Sequence, residues 1–251
     1  MASTAYGTNP ASCVAKFFPD SQFIRQVTVP CDIISDYCSG FTAVSHTDGA
    51  IILAFAGSQT TQQIFMQGGY TIFYPKVIFA GGNVNYYFWN GMNSIWTNGM
   101  EDDFTNLIQT YPSYEVWVTG HSLGAAEASL AAALISSLNY TTPDKIKLIT
   151  FGQPRTGDLG YSNNYPILVP YAYRVVHRQD AIAQLPPKEF LGYLHHKSEV
   201  WYNNNMAVGL NYTVCNEAES NDCSDGNTAN LSWDDHNYYF NTSVLYLKGG
   251  C

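Results

Sequence analysis

An apolar run meets a serine flanked by glycines and turns at once into alanine-rich sequence, "VWVTGHSLGAAEASLAAAL", residues 116–134. Few arrangements accept this stretch. The run before Gly120 reads as a buried strand, and good helix formers begin at Leu123. Only a few residues separate the two, so Ser122 is held in tight backbone geometry with its hydroxyl above a sheet edge. Gly120 and Gly124 remove side chains that would collide with neighbouring backbone. The helix behind the serine offers free N–H groups and the positive end of its dipole, a setting that favours developing negative charge.

The rest of the chain repeats the same rhythm. "GAIILAFAGS" (49–58), "KIKLITFGQP" (145–154) and "YAYRVVHRQD" (171–180) read as further buried strands, alongside "YEVWVTG" (114–120). A helix is expected over 94–111, with Phe104, Leu107 and Ile108 on its apolar side, and a second after Gly124. Strands alternating with helices predict an α/β fold, with a mostly parallel sheet and helices on both faces. The 251 residues fit one such domain, and 46% apolar residues supply a sizeable core. The segment "SQTTQQIFMQGGYTIFY" breaks the rhythm directly after a strand, grouping Ile64, Phe65 and Met66 ahead of two glycines. It reads either as ordinary packing or as a flap with an apolar underside. "CNEAESNDCSDG" (215–226) is acidic and reads as an exposed loop.

Charge narrows the partners. The net charge is −9, with no Lys/Arg run, which disfavours nucleic acid and anionic membranes but not an uncharged ester surface. No stretch is apolar enough for a membrane span. Six cysteines lack any C-x-x-C spacing, so disulfides are expected. Cys31 with Cys38 and Cys215 with Cys223 are near neighbours, which leaves Cys13 with Cys251. Four N-x-S/T sequons, at Asn139, Asn211, Asn230 and Asn241, agree with an oxidising, secretory history. "MASTAYGTNPASC" has no apolar signal-peptide core, so a mature form is expected.

A serine hydroxyl needs a base, and the base needs an orienting acid. In a G-x-S-x-G architecture the acid and then the histidine follow the serine in the chain. Asp180, closely after the "YRVV" strand, is the preferred acid, and Asp158 the weaker choice. His195, His196 and His236 then remain as bases; the first two lie in the strand-like "GYLHHKSEVWY", and His236 is preferred. "MEDD" and "SWDD" read as helix starts or solvated loops rather than metal sites, and no cofactor is expected.

The stretches "AFAGS", "YPSYEVWVTGHSLGAAEASLAAAL", "KLITFGQPRTGD", "YRVVHRQDAIAQLPP", "YLHHKSEVWY" and "DDHNYYF", in this order, resemble the class 3 (fungal-type) lipases of the α/β-hydrolase superfamily. The similarity is greatest to a secreted nematode-type branch. The resemblance implies a single α/β-hydrolase domain over 1–251, with Ser122 as nucleophile, Asp180 as acid and His236 as base. It further implies an oxyanion hole from Ser58 and the Leu123 N–H, and a lid at about 59–71 bearing Ile64, Phe65 and Met66. The chain departs from the family at Ala56, where many members carry Arg, at Ala125, where many carry Gly, at Glu127, usually a neutral residue, and around Gln67, where a lid acid is common. The implied activity is that of a secreted, monomeric triacylglycerol lipase working at an oil–water interface. A feruloyl-type esterase or a phospholipase on the same scaffold, and a non-catalytic binding protein, are the alternatives.

Overall fold

The computed structural model describes residues 1–31, 37–57, 75–248 and 251. Ser58 and the segment carrying Ile64, Phe65 and Met66 lie outside the described residues.

An eight-stranded mixed sheet forms the centre. Strands β1 (Ser21–Pro30), β2 (Tyr37–Ser45) and β3 (Ala50–Phe55) form an antiparallel meander at one edge. After them a hairpin outside the main sheet contributes β4 (Lys76–Phe79) and β5 (Gly82–Asn85). The central sheet resumes with β6 (Glu115–His121), β7 (Ile146–Phe151), β8 (Tyr171–His177) and β9 (Glu199–Tyr202). β3, β6, β7, β8 and β9 are mutually parallel, and β10 (Thr213–Cys215) closes the far edge antiparallel. The parallel strands read as apolar runs because one face is fully covered and the other is partly covered. β3 is buried at every position.

The two faces are covered unequally. On one lie α2 (Tyr86–Ile95), α3 (Glu101–Thr110), α4 (Leu123–Ser137) and α5 (Leu159–Leu168), around one continuous core. α4 packs on β3, β6 and β7 beneath α2 and α5, which is why its sequence is apolar on nearly every side. Among the described residues the other face carries a 3₁₀ turn (Thr4–Tyr6) and α1 (Pro10–Phe17), packed over Phe41, Ala43, Ile52 and Ala54. Farther along that face, Ile149 and Tyr171 remain partly exposed.

The helix expected over 94–111 is two helices. α2 starts earlier, at an Asn85 cap that accepts from the Tyr87 N–H at 2.8 Å. A π-helical turn, Trp96–Met100, then breaks the run at Asn98 and Gly99. Arg25 wedges in there, donating to Gly99 O at 3.3 Å and forming a bidentate pair with Asp103. The acids of "MEDD" fill the first turn of α3, where the helix dipole favours them.

All three disulfides form as paired in the sequence: Cys13–Cys251, Cys31–Cys38 and Cys215–Cys223.

Candidate active site

The carboxyl ends of β6, β7 and β8 converge on one point, as ligand sites do in parallel sheets. β6 ends at Ser122, which caps α4 with φ 61° and ψ −127°, a left-handed conformation rare for a side-chain-bearing residue. The strain is held from both sides. The Ser122 N–H donates to Phe151 O at 3.0 Å, and Ser122 O accepts from the Ala125 N–H at 3.0 Å. Gly120 has no room for a Cβ against the backbone of Gly124, and Gly124 none against Phe55 O. The strand end, the serine and the first turn of α4 are therefore locked together, with the Leu123 N–H at the helix start where no intrahelical acceptor exists.

β8 ends at His177, and the chain turns through Arg178 and Gln179 to Asp180. Asp180 forms an isolated parallel bridge with Ser232, which precedes the five-residue helix α6 (Trp233–Asn237). That pairing sets α6 against the end of β8. Ser232 also caps α6 through the Asp235 N–H at 3.1 Å. His236 therefore faces Asp180, with Nδ1 2.9 Å from both carboxylate oxygens. Tyr239 donates its hydroxyl to Asp180 Oδ2 at 2.6 Å, and the Ile182 and Ala183 N–H groups donate to Oδ1 at 2.9 and 3.3 Å. Burial alone would raise the Asp180 carboxyl; the facing His236 and the Tyr239 hydrogen bond hold it below its ordinary value. Because the carboxylate only accepts, His236 Nδ1 carries the proton and Nε2 is left as the basic nitrogen.

Gly152, just beyond β7, has φ +55°, and a Cβ there would press on Asp180 Oδ2 at 2.6 Å and on the His236 ring at 2.8 Å. The pair thus sits directly on the end of β7, next to the strand that delivers Ser122. Among the described residues Ser122 Oγ makes no hydrogen bond to His236. Hydroxyl–imidazole bonds of this kind are often long until substrate arrives.

The other candidates are placed elsewhere. Asp158 caps α5, accepting from the Tyr161 N–H at 3.1 Å, and takes the Asn83 N–H and amide. His195 and His196 lie before β9 rather than in it. His195 Nε2 donates to Ala183 O at 2.8 Å, while the His196 ring stacks on Tyr165. Burial holds both imidazoles below their ordinary values, His196 at about 3.

The loop read as simply exposed is half clamped. Arg155 grips Glu219 through two hydrogen bonds, at 2.9 and 2.7 Å, and Asp225 at 2.9 Å. Arg174 faces Glu199 at 3.4 Å and donates to His196 O at 2.8 Å. The two arginines are almost wholly buried, so they draw acids inward from the loop. Burial and the adjacent Glu219 push Asp225 up to about 7. A sequence signal was present at Arg174, since an arginine inside the apolar strand "YRVV" demands buried counter-charge; Arg155, beyond the end of β7, gave none. Tyr239 had no such signal, because its role depends on Asp180, distant in the chain.

The chain is similar to known proteins along its length. The family model for lipase (class 3) matches residues 52–190. A lipase of Caenorhabditis elegans is 32% identical over 284 aligned residues, which span 100% of this chain and 80% of that protein. A secreted mono- and diacylglycerol lipase A of Penicillium cyclopium is 26% identical over 207 residues, 80% of this chain and 66% of that protein. The solved structure of a triacylglycerol lipase whose catalytic centre is a serine protease triad has a TM-score of 0.82 and 26% identity, covering 98% of this chain and 92% of that one. With the family matched over more than half of its residues, the chain belongs to the class 3 lipases and is a carboxylic ester hydrolase of the α/β-hydrolase superfamily.

Proposed function

We propose that Ser122, His236 and Asp180 hydrolyse triacylglycerol esters through an acyl-enzyme. The observation that carries this reading is the buried Asp180–His236 pair seated beside a serine in strained elbow geometry. His236 Nε2 takes the Ser122 proton as Oγ bonds to the ester carbonyl carbon. The carbonyl electrons move onto oxygen, which the Leu123 N–H receives at the start of α4, with Ser58 as the second donor. The tetrahedral intermediate then breaks its bond to the alcohol, which leaves with the proton from His236. Water attacks the acyl-serine, His236 takes the water's proton and returns it to Oγ, and the fatty acid is released. Asp180 orients the imidazole and stabilises its cation throughout.

The three disulfides and the secreted Penicillium relative support an extracellular setting. The four sequon asparagines are exposed, as glycan acceptors must be. Among the described residues no helix is long and apolar enough to cross a membrane. On this reading the substrate is met at an oil–water interface.

Ser122→Ala tests the triad. Turnover of p-nitrophenyl butyrate is expected to fall by roughly 10⁵–10⁶-fold with the melting temperature kept. A variant with full turnover removes Ser122 from the mechanism. A substrate panel of triolein, phosphatidylcholine and methyl ferulate tests the ester class, with fatty-acid release from triolein expected to be fastest. Hydrolysis of methyl ferulate alone overturns the acylglycerol reading and leaves the triad standing.

A further inference from the structure

His236 sits on a helix of only five residues, too short to hold a ring in place without outside anchors. Asp180 fixes its Nδ1. A second anchor comes from the residue immediately before the nucleophile. His121 Nε2 lies 2.9 Å from His236 O, and the two imidazoles overlap with centroids 4.4 Å apart and planes 32° apart. One side chain thus secures both the backbone and the ring face of His236.

His121 is itself fixed, and its tautomer follows from its partners. A carbonyl only accepts, so His121 Nε2 carries the hydrogen. Nδ1 must then accept, and it does so from the Tyr6 hydroxyl at 2.8 Å. Tyr6 also packs against Gly57, just beyond β3. A Cβ on Gly57, the residue before Ser58, would overlap the Tyr6 hydroxyl, and the Gly57 N–H faces the phenol oxygen. The turn bearing Tyr6 is tied to the chain beyond α6 by Ser3 Oγ donating to Val244 O at 2.7 Å, and to β1 by Gln26 Nε2 donating to Gly7 O at 3.0 Å.

We propose that Tyr6 and His121 form a positioning strap that holds His236 in register with Ser122 and Asp180 during turnover. The inference rests on His236 being the catalytic base. The strap has an electrostatic side as well. Burial, reinforced by the neighbouring His236, lowers His121 to about 3, so it stays neutral. A neutral ring stacked on His236 allows that imidazole to accept the serine proton, whereas a cationic one would oppose it. The Tyr6 hydrogen bond favours the same state, because a protonated Nδ1 could no longer accept it.

The test compares wild type with Tyr6→Phe, His121→Ala and His121→Gln on p-nitrophenyl butyrate, with fluorophosphonate labelling of Ser122 in parallel. Tyr6→Phe removes one hydroxyl and is expected to lower kcat by about tenfold with KM within about twofold, in line with one lost hydrogen bond. The acid limb of its kcat/KM profile is expected to move to lower pH, because a looser His236 is less well paired with Asp180. His121→Ala loses about a hundredfold or more in kcat, by loss of the backbone bond together with the stacking ring. His121→Gln, which can still donate to His236 O, recovers most of that loss. Unchanged kcat and an unmoved acid limb in Tyr6→Phe overturn the strap. So does a His121→Gln variant no better than His121→Ala, and this variant decides the matter if Tyr6→Phe fails to fold. Failure of the wild type to react with the fluorophosphonate would instead overturn the triad reading, so the two failures are told apart.

Discussion

Two buried polar clusters are anchored by the segment 180–185, and they are built on opposite principles. At one end stands Asp180, a single fixed charge whose two oxygens gather His236, Tyr239 and two backbone N–H groups. At the other, Gln184 and Leu185 border a cluster with several charges, Arg155 and Arg174 against Glu199 and Glu219, with Asp225 beside them. In the second cluster each arginine already faces an acid, and the arrangement is a foundation. In the first, the neighbours of Asp180 are neutral, so a positive charge can appear on His236 and disappear again within one turnover. A site that must change charge keeps few charges; a site that must not move can hold many.

The sharpest way to break this contrast is to neutralise one acid from each cluster's logic. Asp180→Asn is expected to lower kcat by about 10⁴-fold, since the amide stabilises the wrong tautomer of His236. Its urea midpoint should stay close to wild type, because Asn keeps the shape and much of the hydrogen bonding. Arg155→Met should do the reverse. It strands Glu219 and Asp225 without their cation and is expected to cost about 3–5 kcal/mol in urea unfolding, while the folded fraction retains near-normal kcat. If Arg155→Met instead loses kcat at full stability, the ionic cluster belongs to the catalytic apparatus and the contrast fails.

Glu127 sharpens the comparison at the smallest scale, as a buried acid with no cluster at all. It lies on α4 under the elbow, both its oxygens without a hydrogen-bond partner, and burial raises its carboxyl well above the ordinary glutamate range. The raised value fixes the sign. Stability is full below the ordinary range and is lost as pH rises toward the folded-state value, by at most about 1.4 kcal/mol per pH unit. Glu127→Gln does not titrate, so in thermal melts it should match wild type below the ordinary glutamate range and gain on it progressively as pH rises above that range. Parallel melting curves for the two proteins across that range would show that Glu127 has a charge partner after all.

How much of this was legible in the chain depended on the reach of each interaction. The strands Ala50–Phe55, Glu115–His121, Ile146–Phe151 and Tyr171–His177 stood out as apolar runs, the first buried on both faces and the others on at least one. The elbow was legible because its geometry is local, set by Gly120, Ser122 and Gly124 within one turn. Asp180 and His236 could be ranked by chain order, but their pairing depends on the Asp180–Ser232 bridge, which no local pattern announces. The π turn at Trp96–Met100 was hidden for a similar reason, since the break is shaped by Arg25 arriving from β1. The acids of the 215–226 loop misled because composition reports that a residue is charged, not which buried partner it faces. Tyr6 and His121 were the least visible: each is marked only by partners far away in the chain, Tyr6 by His121 and His121 by His236.

The Cys13–Cys251 bond has a consequence beyond stability. Joining residues 238 apart, it makes the polypeptide topologically a ring that contains Ser122, Asp180 and His236. A protease that nicks one outer loop opens this ring into a string and frees no piece. Each member of the triad then remains covalently attached to the others, by whichever arc was spared. In surroundings rich in digestive activity, such a molecule must be cut twice, or cut and reduced, before its catalytic parts can drift apart.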